Sequence, residues 1–268
     1  MTERSIPATC FGVIGVGVMG EALLATLKRV GAKNICFAEK REDRAEEITK
    51  THGAKARSIS DIGESCDVIL LVTKPQDVES ALHDLRSHIK PSTLVISFVA
   101  GKKINFISER LGSTNVIRVM PNTPTLIGEG ISAISGGSGV DPRELHFARE
   151  ILNGAGKSIE VPESLQDAVT SLSGSGPAYF YAFTESMIEA GTELGLSLAD
   201  ATLLAHQTFI GAAKLLEKTG ESAAQLRKNV TSPNGTTEAA LKTFEDGGLE
   251  ALVAKAMLAA RDRSVELG

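Results

Sequence analysis

The sequence predicts an α/β fold in which a doubly wound parallel sheet is followed by an all-helical domain. From about residue 12 to residue 161, short apolar runs alternate with amphipathic helical segments, as in parallel strands joined by helices. Beyond residue 161 the apolar spacing is helical and no further convincing strand follows. We therefore expect two domains, residues 1–161 and residues 162–268.

Composition narrows the class of protein. The 268 residues can bury a full core, and 42% of them are hydrophobic. No apolar run approaches the roughly 18 to 20 residues that span a bilayer, and the N-terminus lacks the apolar segment of a secretion signal. The formal net charge of −5 argues against a general nucleic-acid binder. We expect a cytoplasmic protein that binds neither nucleic acid nor a membrane.

The three cysteines, Cys10, Cys36 and Cys66, stand far apart in the sequence and form no CxxC pair. An odd number of single cysteines indicates neither a metal site nor a disulfide framework. We interpret them as small apolar residues near strands, in a protein of a reducing compartment.

The first strand, residues 11–14, leads into a glycine-rich turn. Gly15, Gly17 and Gly20 follow with G-x-G-x-x-G spacing, and a helical segment begins at once. In such a turn the first glycine permits a tight reversal, the second admits a pyrophosphate and the third lets the helix lie close to its strand. The helix N-terminus offers free N–H groups to the phosphate. The pattern predicts a Rossmann-type dinucleotide site, with a purely structural turn as the alternative.

Further elements follow from the same periodicity. A helix that ends at Gly53 and another that starts at Pro75 are expected, because proline lacks only an N–H that the first helical turn leaves unpaired. The predicted strands are residues 34–39, 67–73, 93–97, 115–120 and 130–135, and the predicted helices include residues 41–52, 178–194, 198–216, 238–244 and 249–266.

The predicted helix over residues 198–216 is unusually apolar. No formal charge occurs between Asp200 and Lys214. A helix that is apolar around most of its circumference must be covered on most sides. We therefore expect subunits to associate through this half of the chain, and a central helix within a monomeric bundle is the alternative. His206 lies within this helix and is assigned no chemistry.

The end of the second strand bears on the choice of nucleotide. An acidic residue there binds the ribose 2′-OH of NAD, whereas a basic residue accepts the 2′-phosphate of NADP. The chain has Glu39, followed by Lys40, Arg41 and Arg44. We favour NADPH, with NADH also usable.

A second candidate site precedes a predicted helix near the C-terminus. In the stretch of residues 229–238, Ser232, Thr236 and Thr237 supply hydroxyl groups and Gly235 permits close approach. Free N–H groups at the start of the helix would face a ligand. The arrangement suits a small carboxylate. The structural alternative is that Ser232 or Thr236 is simply the N-cap of the helix.

Six motifs together resemble the pyrroline-5-carboxylate reductase family over essentially the whole chain. They are IGVGVMG (14–20), VTKP (72–75), SFVAG (97–101), RVMPNTP (118–124), SGSGPAY (173–179) and VTSPNGTT (230–237). The last motif is the most specific. In it Asn234 stands where the family usually has glycine, which is a mild departure because asparagine tolerates left-handed backbone.

The resemblance implies an NAD(P)H-dependent oxidoreductase of the CH–NH class that reduces Δ1-pyrroline-5-carboxylate to L-proline, the last step of proline synthesis. It implies a homodimer through the helical domain, which in the family can assemble further. Implied nucleotide contacts are Ile14, Gly15, Val16, Gly17, Val18, Met19, Glu39, Lys40, Arg41, Val72, Thr73, Lys74, Pro75, Phe98, Val99, Ala100 and Asn229. Implied substrate contacts are Glu163, Ser232, Gly235, Thr236 and Thr237, with Thr237 beside the imine.

The chemistry limits what Thr237 can do. Hydride transfer needs nicotinamide C4 and the imine carbon about 3 to 3.5 Å apart. We expect the main-chain N–H groups of residues 235–237 to hold the substrate carboxylate. A threonine hydroxyl is too weak an acid at neutral pH, so Thr237 would orient the imine nitrogen or relay a proton from water.

Two other functions fit parts of the sequence. β-Hydroxyacid dehydrogenases share the domain plan but carry a lysine on the first long helix of the second domain, and residues 174–195 contain no lysine. A ketone yields an alkoxide that needs a firm proton donor, whereas an imine yields an amine. A non-catalytic nucleotide-binding module is the other alternative, and the intact glycine turn and residues 232–237 argue against it.

Overall fold

The computed structural model describes residues 4–268, which form two compact units. The first unit contains the chain up to Ser175 together with Ala260–Gly268, and the second contains Gly176–Ala259. The predicted domain boundary, after residue 161, falls inside the first unit. As the boundary between a nucleotide-binding and a substrate-binding domain, it stays a prediction.

The first unit is built on one sheet. Its strands are β1 Cys10–Ile14, β2 Asn34–Ala38, β3 Lys55–Ala56, β4 Val68–Leu71, β5 Leu94–Ser97, β6 Val116–Met120, β7 Gly130–Gly136 and β8 Gly156–Glu160. They lie in the order β3-β2-β1-β4-β5-β6-β7-β8. Neighbouring strands from β3 to β6 are parallel, which confirms the predicted doubly wound sheet over these strands.

One edge of the sheet departs from the prediction. Strand β7 runs antiparallel to β6, and β8 runs parallel to β7. The connection between β6 and β7, residues 121–129, is too short for the crossover of a dozen or more residues that a parallel neighbour requires. At this edge the sheet therefore departs from the predicted parallel arrangement.

The helices of the described chain extend through both units. They are α1 Val18–Arg29, α2 Glu42–His52, α3 Ile59–Ser65, α4 Val78–Arg86, α5 Ile104–Leu111, α6 Pro142–Asn153, α7 Gln166–Val169, α8 Gly176–Glu193, α9 Leu198–Thr219, α10 Ala223–Asn229, α11 Thr236–Asp246 and α12 Leu249–Leu267. The predicted helix start at Pro75 is wrong. Residues 75–77 form a turn, in which the Asp77 N–H donates to the Lys74 carbonyl oxygen at 2.9 Å, and α4 begins at Val78.

The core of the first unit lies on both faces of the sheet. Along β4, Val68 and Leu70 belong to the cluster on one face, and Ile69 and Leu71 belong to the cluster on the other. All four side chains are fully buried. The continuous apolar run of this strand is therefore explained by burial on both faces of the sheet.

The second unit is helical and leaves much apolar surface uncovered. In α9 Leu203 is 68% exposed and Leu204 is 55% exposed, whereas Ala201 and Ala205 are buried. Helix α9 is therefore not enclosed within this single chain, contrary to the alternative of a central helix in a monomeric bundle. None of the helices in residues 4–268 combines the length and apolar character of a membrane span.

Candidate nucleotide and substrate sites

The glycine turn forms at the carboxyl end of β1. Gly15 has φ of +91°, in the region that favours glycine. Its N–H donates to the Ala38 carbonyl oxygen at 2.9 Å. A Cβ at this position would lie 2.9 Å from the Val72 carbonyl oxygen. Both the backbone conformation and the closeness of Val72, directly after β4, therefore require glycine.

Gly17 and Gly20 meet different surroundings. A Cβ on Gly20 would collide with the carbonyl oxygen of Gly15, so this glycine lets α1 pack directly on the turn. A Cβ on Gly17 would meet nothing within 4 Å. Gly17 is the N-cap of α1, so no side chain caps the start of this helix. The space in front of Gly17 is therefore open, and the free N–H groups of α1 face it, as in a phosphate site.

A cleft of about 690 Å³ adjoins the glycine turn, which is within the usual size range of small-molecule sites. The predicted nucleotide residues in its walls are Ile14, Gly15, Gly17, Val18, Glu39, Lys40, Arg41, Val72, Thr73 and Lys74. The sequence reasoning missed Arg57, Ser58 and Ile59, which also line the cleft. These three residues directly follow β3. They could have been predicted, because the carboxyl ends of parallel strands meet at this edge of the sheet.

Glu39 is directed at the glycine turn. Its Oε2 accepts a hydrogen bond from the Val16 N–H at 3.3 Å, and its Oε1 accepts one from the Arg41 N–H at 3.2 Å. The side chain thus links the end of β2 to the turn that follows β1. Its two acceptor oxygens already have backbone partners.

The basic side chains near Glu39 differ in how firmly they are paired. Lys40 donates to Asp77 at 3.1 Å. Arg44 donates to the Val16 carbonyl oxygen at 3.1 Å and pairs with Glu21. Arg41 is 65% exposed, and its ion pair with Asp43 is long at 4.0 Å. The Arg41 guanidinium is therefore available to a ligand in the cleft.

Thr73 lines the same cleft. Its Oγ1 is buried and finds no hydrogen-bond partner in the part of the chain that the structure describes. A buried polar group without a partner costs about 1 to 3 kcal/mol. A polar group of a ligand bound in the cleft would supply the partner. Thr73 and the open space at Gly17 together fit a bound dinucleotide.

Other predicted nucleotide residues do not line this cleft: Val16, Met19, Pro75, Phe98, Val99 and Ala100. The Phe98 and Val99 side chains are buried in the two core clusters. Their N–H groups donate to the Leu71 carbonyl oxygen at 2.9 Å and to Ser97 Oγ at 3.3 Å. The Val99 carbonyl oxygen also accepts the Lys102 N–H at 3.4 Å, so a polar ligand contact from this pair would come most directly through the Phe98 carbonyl oxygen.

The loop before α11 has the backbone that its motif requires. Asn234 takes the left-handed conformation, with φ of +59°. The Gly235 N–H donates to the Ser232 carbonyl oxygen at 3.0 Å, and a Cβ on Gly235 would collide with Ser232 Oγ. Gly235 therefore keeps the Ser232 hydroxyl close to the start of the helix.

The start of α11 is open to an anion. Gly235 is the N-cap and no side chain caps it, so the alternative that Ser232 or Thr236 is the N-cap is wrong. Within residues 4–268, no acceptor takes the N–H groups of Thr236 and Thr237. Glu238 folds back to accept the Asn234 N–H at 2.7 Å. Two free N–H groups and two hydroxyls thus stand at one helix end, in a form that suits a carboxylate.

Asn229, at the end of α10, already has partners in the second unit. Its amide nitrogen donates to Glu221 at 3.1 Å, and its amide oxygen accepts from Gln225 at 2.7 Å. Its predicted contact with the nucleotide stays a prediction.

Glu163 belongs to the first unit, where its carboxylate is held by two donors. Oε1 accepts the Ile104 N–H at 2.7 Å and lies 3.4 Å from Arg118 Nη1. The Arg118 side chain is buried, and its Nη2 lies 3.9 Å from Asp167, which accepts the Ser264 hydroxyl at 2.7 Å. The network joins β6 to the segment around α7 and to the end of α12. The sequence reasoning gave Arg118 no role.

Known proteins match this chain along nearly its full length. Residues 163–267 match the family described as pyrroline-5-carboxylate reductase dimerisation, and residues 10–101 match the coenzyme F420-dependent NADP oxidoreductase family. A pyrroline-5-carboxylate reductase of Corynebacterium melassecola is 38% identical over 267 residues, covering 97% of this chain and 99% of its own length. This chain belongs to the pyrroline-5-carboxylate reductase family.

Solved structures of the pyrroline-5-carboxylate reductase family have the same fold. The enzyme of Coxiella burnetii is 33% identical with a TM-score of 0.91, covering 97% of this chain and 98% of its own. The Plasmodium falciparum enzyme, solved with NADP bound, is 30% identical with a TM-score of 0.88, covering 98% of this chain and all of its own. The family that the six motifs indicated is confirmed.

The two family matches coincide with the features described above. The NADP oxidoreductase match contains the glycine turn, Glu39, Arg41 and Thr73, and it ends at residue 101. The pyrroline-5-carboxylate reductase dimerisation match contains the exposed apolar face of α9 and the loop before α11.

Proposed function

We propose that this chain is an NADPH-dependent pyrroline-5-carboxylate reductase, which transfers hydride to the imine carbon of Δ1-pyrroline-5-carboxylate and produces L-proline. As an enzyme it would belong to the oxidoreductases acting on CH–NH groups. The observation that carries the proposal is the uncapped start of α11, where a small carboxylate would find the free N–H groups of Thr236 and Thr237.

NADPH would bind at the glycine turn. Its pyrophosphate would occupy the open space at Gly17, and the Thr73 hydroxyl would gain a partner. Arg41 would receive the 2′-phosphate, because Glu39 is engaged with backbone N–H groups and Arg41 is loosely paired. Bound NADPH supplies the hydride. NADH, which lacks the phosphate, would be used less well.

The substrate carboxylate would accept hydrogen bonds from the Thr236 and Thr237 N–H groups, which the helix dipole favours. The Thr237 hydroxyl would hydrogen-bond the imine nitrogen and fix the ring. It would orient a protonated imine or relay a proton from water, because its own acidity is far too low to make it the acid. The product amine retains its proton, so no stronger side-chain acid is needed.

The proposed enzyme is a homodimer through the C-terminal helices, with further association of dimers. The exposed leucines of α9, Leu203 and Leu204 among them, supply apolar surface of the kind that obligate interfaces bury. The three free cysteines suit a reducing cytoplasm.

The decisive experiment is an assay of the purified chain with NADPH and Δ1-pyrroline-5-carboxylate. Equal amounts of NADPH oxidised and proline formed would support the proposal. Turnover of a 3-hydroxy acid with NADP, without turnover of the imine, would select the β-hydroxyacid dehydrogenase alternative. Binding of NADPH without turnover of either compound would select a non-catalytic module.

A further inference from the structure

The three cysteines form a cluster in the first unit, although they come from separate segments of the chain. Cys66 Sγ lies 3.3 Å from Cys36 Sγ and 3.6 Å from Cys10 Sγ. Cys66 and Cys36 are buried, and Cys10 is partly exposed. The cysteines lie on or beside strands, as the sequence predicted, but their contacts with one another were not apparent from their spacing.

Gly12 creates the space for this cluster. Side chains two residues apart share a face of a strand, so Cys10 and Gly12 face the same side of β1. Gly12 also pairs directly with Cys36 on β2. A Cβ on Gly12 would lie 3.0 Å from Cys66 Sγ and would collide with Ile62. The missing side chain lets the Cys66 thiol lie on β1 between the other two thiols.

We propose that this cluster is an oxidative modification site, at which a peroxide converts Cys36 and Cys66 into a disulfide. The two sulfur atoms are already in contact, and a disulfide would need them to approach by about 1.2 Å more. The bond would join β2 to the residue that follows α3. The proposal does not depend on the reductase activity.

The thiols of the proposed pair differ in character. The pKa of Cys36 is lowered chiefly by its hydrogen bond with Cys66, and the Arg57 charge acts in the same direction. The pKa of Cys66 is raised by the same hydrogen bond and by burial. Burial is also the main reason that the pKa of Cys10 rises to about 11. Cys36 therefore has the most thiolate character of the three, and the thiolate is the nucleophile.

The reaction balances with hydrogen peroxide as the only oxidant. The Cys36 thiolate attacks one peroxide oxygen, the O–O bond breaks, and Cys36 sulfenic acid forms with release of hydroxide, which takes up the Cys36 proton as water. The Cys66 sulfur then attacks the Cys36 sulfur. The S–O bond breaks, and a second water leaves with the Cys66 proton. Two thiols lose two electrons, and one peroxide is reduced to two waters.

The test uses the reduced full-length chain. It is treated with hydrogen peroxide, denatured with an alkylating agent and digested without reductant for mass spectrometry. The expected result is a peptide pair linked through Cys36 and Cys66, with Cys10 alkylated and one free thiol left of three. Three alkylated thiols after treatment, sulfinic acids without a linked pair, or a link through Cys10 would overturn the proposal.

Matched variants distinguish disulfide formation between Cys36 and Cys66 from general oxidation of thiols. Cys10→Ser should form the linked pair with the same yield as the unmodified chain, whereas Cys66→Ser should form none and leave Cys36 as sulfenic or sulfinic acid. Circular dichroism checks that each variant is folded. Should Cys66→Ser fail to fold, Cys36→Ser serves instead and should lose the linked pair equally. A Cys36–Cys66 link that joins two different chains, instead of two residues of one chain, would contradict the proposal.

Discussion

The Glu39 carboxylate is hydrogen-bonded to the Val16 backbone N–H, with Oε2 3.3 Å from the nitrogen. An acid at the end of the second strand selects NAD when it binds the ribose 2′-OH. Here that acid instead connects the glycine turn to the Arg41 N–H. The relationship leaves Arg41 as the residue that would distinguish NADPH from NADH.

Replacing Arg41 with alanine should therefore lower kcat/KM for NADPH by about 10- to 100-fold, the value of a charge-assisted hydrogen bond. The kcat/KM for NADH should change by less than about threefold, because NADH has no phosphate to lose. Initial rates with both nucleotides measure this. Lys50→Ala on α2 removes the same charge from an exposed pair with Glu46 and should leave both values unchanged. Equal losses with the two nucleotides would rule out the assigned role of Arg41.

Alanine substitutions at Gly17 and Gly20 should have different effects on NADPH affinity and on the free energy of unfolding. Gly17→Ala places a methyl group in open space, so the free energy of unfolding should change by less than about 1 kcal/mol. Its affinity for NADPH should nevertheless fall by about tenfold or more, because the methyl group occupies the phosphate position. Gly20→Ala collides with the Gly15 carbonyl oxygen and should lower the free energy of unfolding by about 1 to 3 kcal/mol. Urea denaturation measures the change in stability, and NADPH titration measures the change in affinity. Normal affinity for NADPH in Gly17→Ala would show that the pyrophosphate does not bind at Gly17.

Thr237→Ala should reduce kcat by about 10- to 1,000-fold, because the imine nitrogen loses the hydroxyl that orients it. Thr243→Ala on the same helix removes a hydroxyl that donates to the Ala239 carbonyl oxygen, and its kcat should stay within about twofold. Steady-state rates with saturating NADPH and imine make the comparison. Near-normal turnover in Thr237→Ala would remove this residue from the mechanism.

The buried Arg118 is expected to stabilise the first unit. Arg118→Ala leaves Glu163 and Asp167 without their cation and should lower the free energy of unfolding by about 3 kcal/mol. The matched surface variant is Arg263→Ala, whose exposed pair with Glu266 is worth about 1 kcal/mol or less. Urea denaturation measures both.

Glu163→Gln tests whether Glu163 also binds substrate, as the family resemblance implied. Because its carboxylate already receives the Ile104 N–H and Arg118, the main effect should be a loss of about 1 kcal/mol in stability. A large rise in KM for the imine with unchanged stability would instead assign Glu163 to the substrate.

Acid should weaken the interactions of the Glu21 carboxylate on α1, which pairs with Arg44. The pKa of Glu21 is lowered from its ordinary value of 4.5, chiefly by the hydrogen bond with His52 and also by Arg44. A lowered pKa contributes stability that is fully present above 4.5 and is lost as pH falls through the folded-state value. The difference in unfolding free energy between the unmodified chain and Glu21→Gln should therefore shrink from about pH 6 to about pH 3. A constant difference would show that the Glu21 charge does not stabilise the fold.

Much of the parallel sheet could be predicted because strands buried on both faces leave continuous apolar runs, as in β4 and β5. Strand β3 was missed because it has two exposed residues. Strand β8 was missed because Lys157 and Glu160 interrupt its apolar pattern. The direction of β7 follows from the short connection before it and not from its composition.

The nucleotide site was predictable as far as the glycine turn and the basic residues after β2. The orientation of Glu39 was not, because it depends on a hydrogen bond to Val16, a residue of another segment. The contact between Cys36 and Cys66 also depends on three segments meeting over Gly12. Local patterning carries no signal for such contacts.

The most direct measurement is the fate of the hydride. With NADPH deuterated at both C4 positions, the account predicts L-proline with one deuterium at C5, the former imine carbon, in an amount equal to the NADPH oxidised. Proline without deuterium, or NADPH oxidation without proline, would contradict direct hydride transfer by this protein.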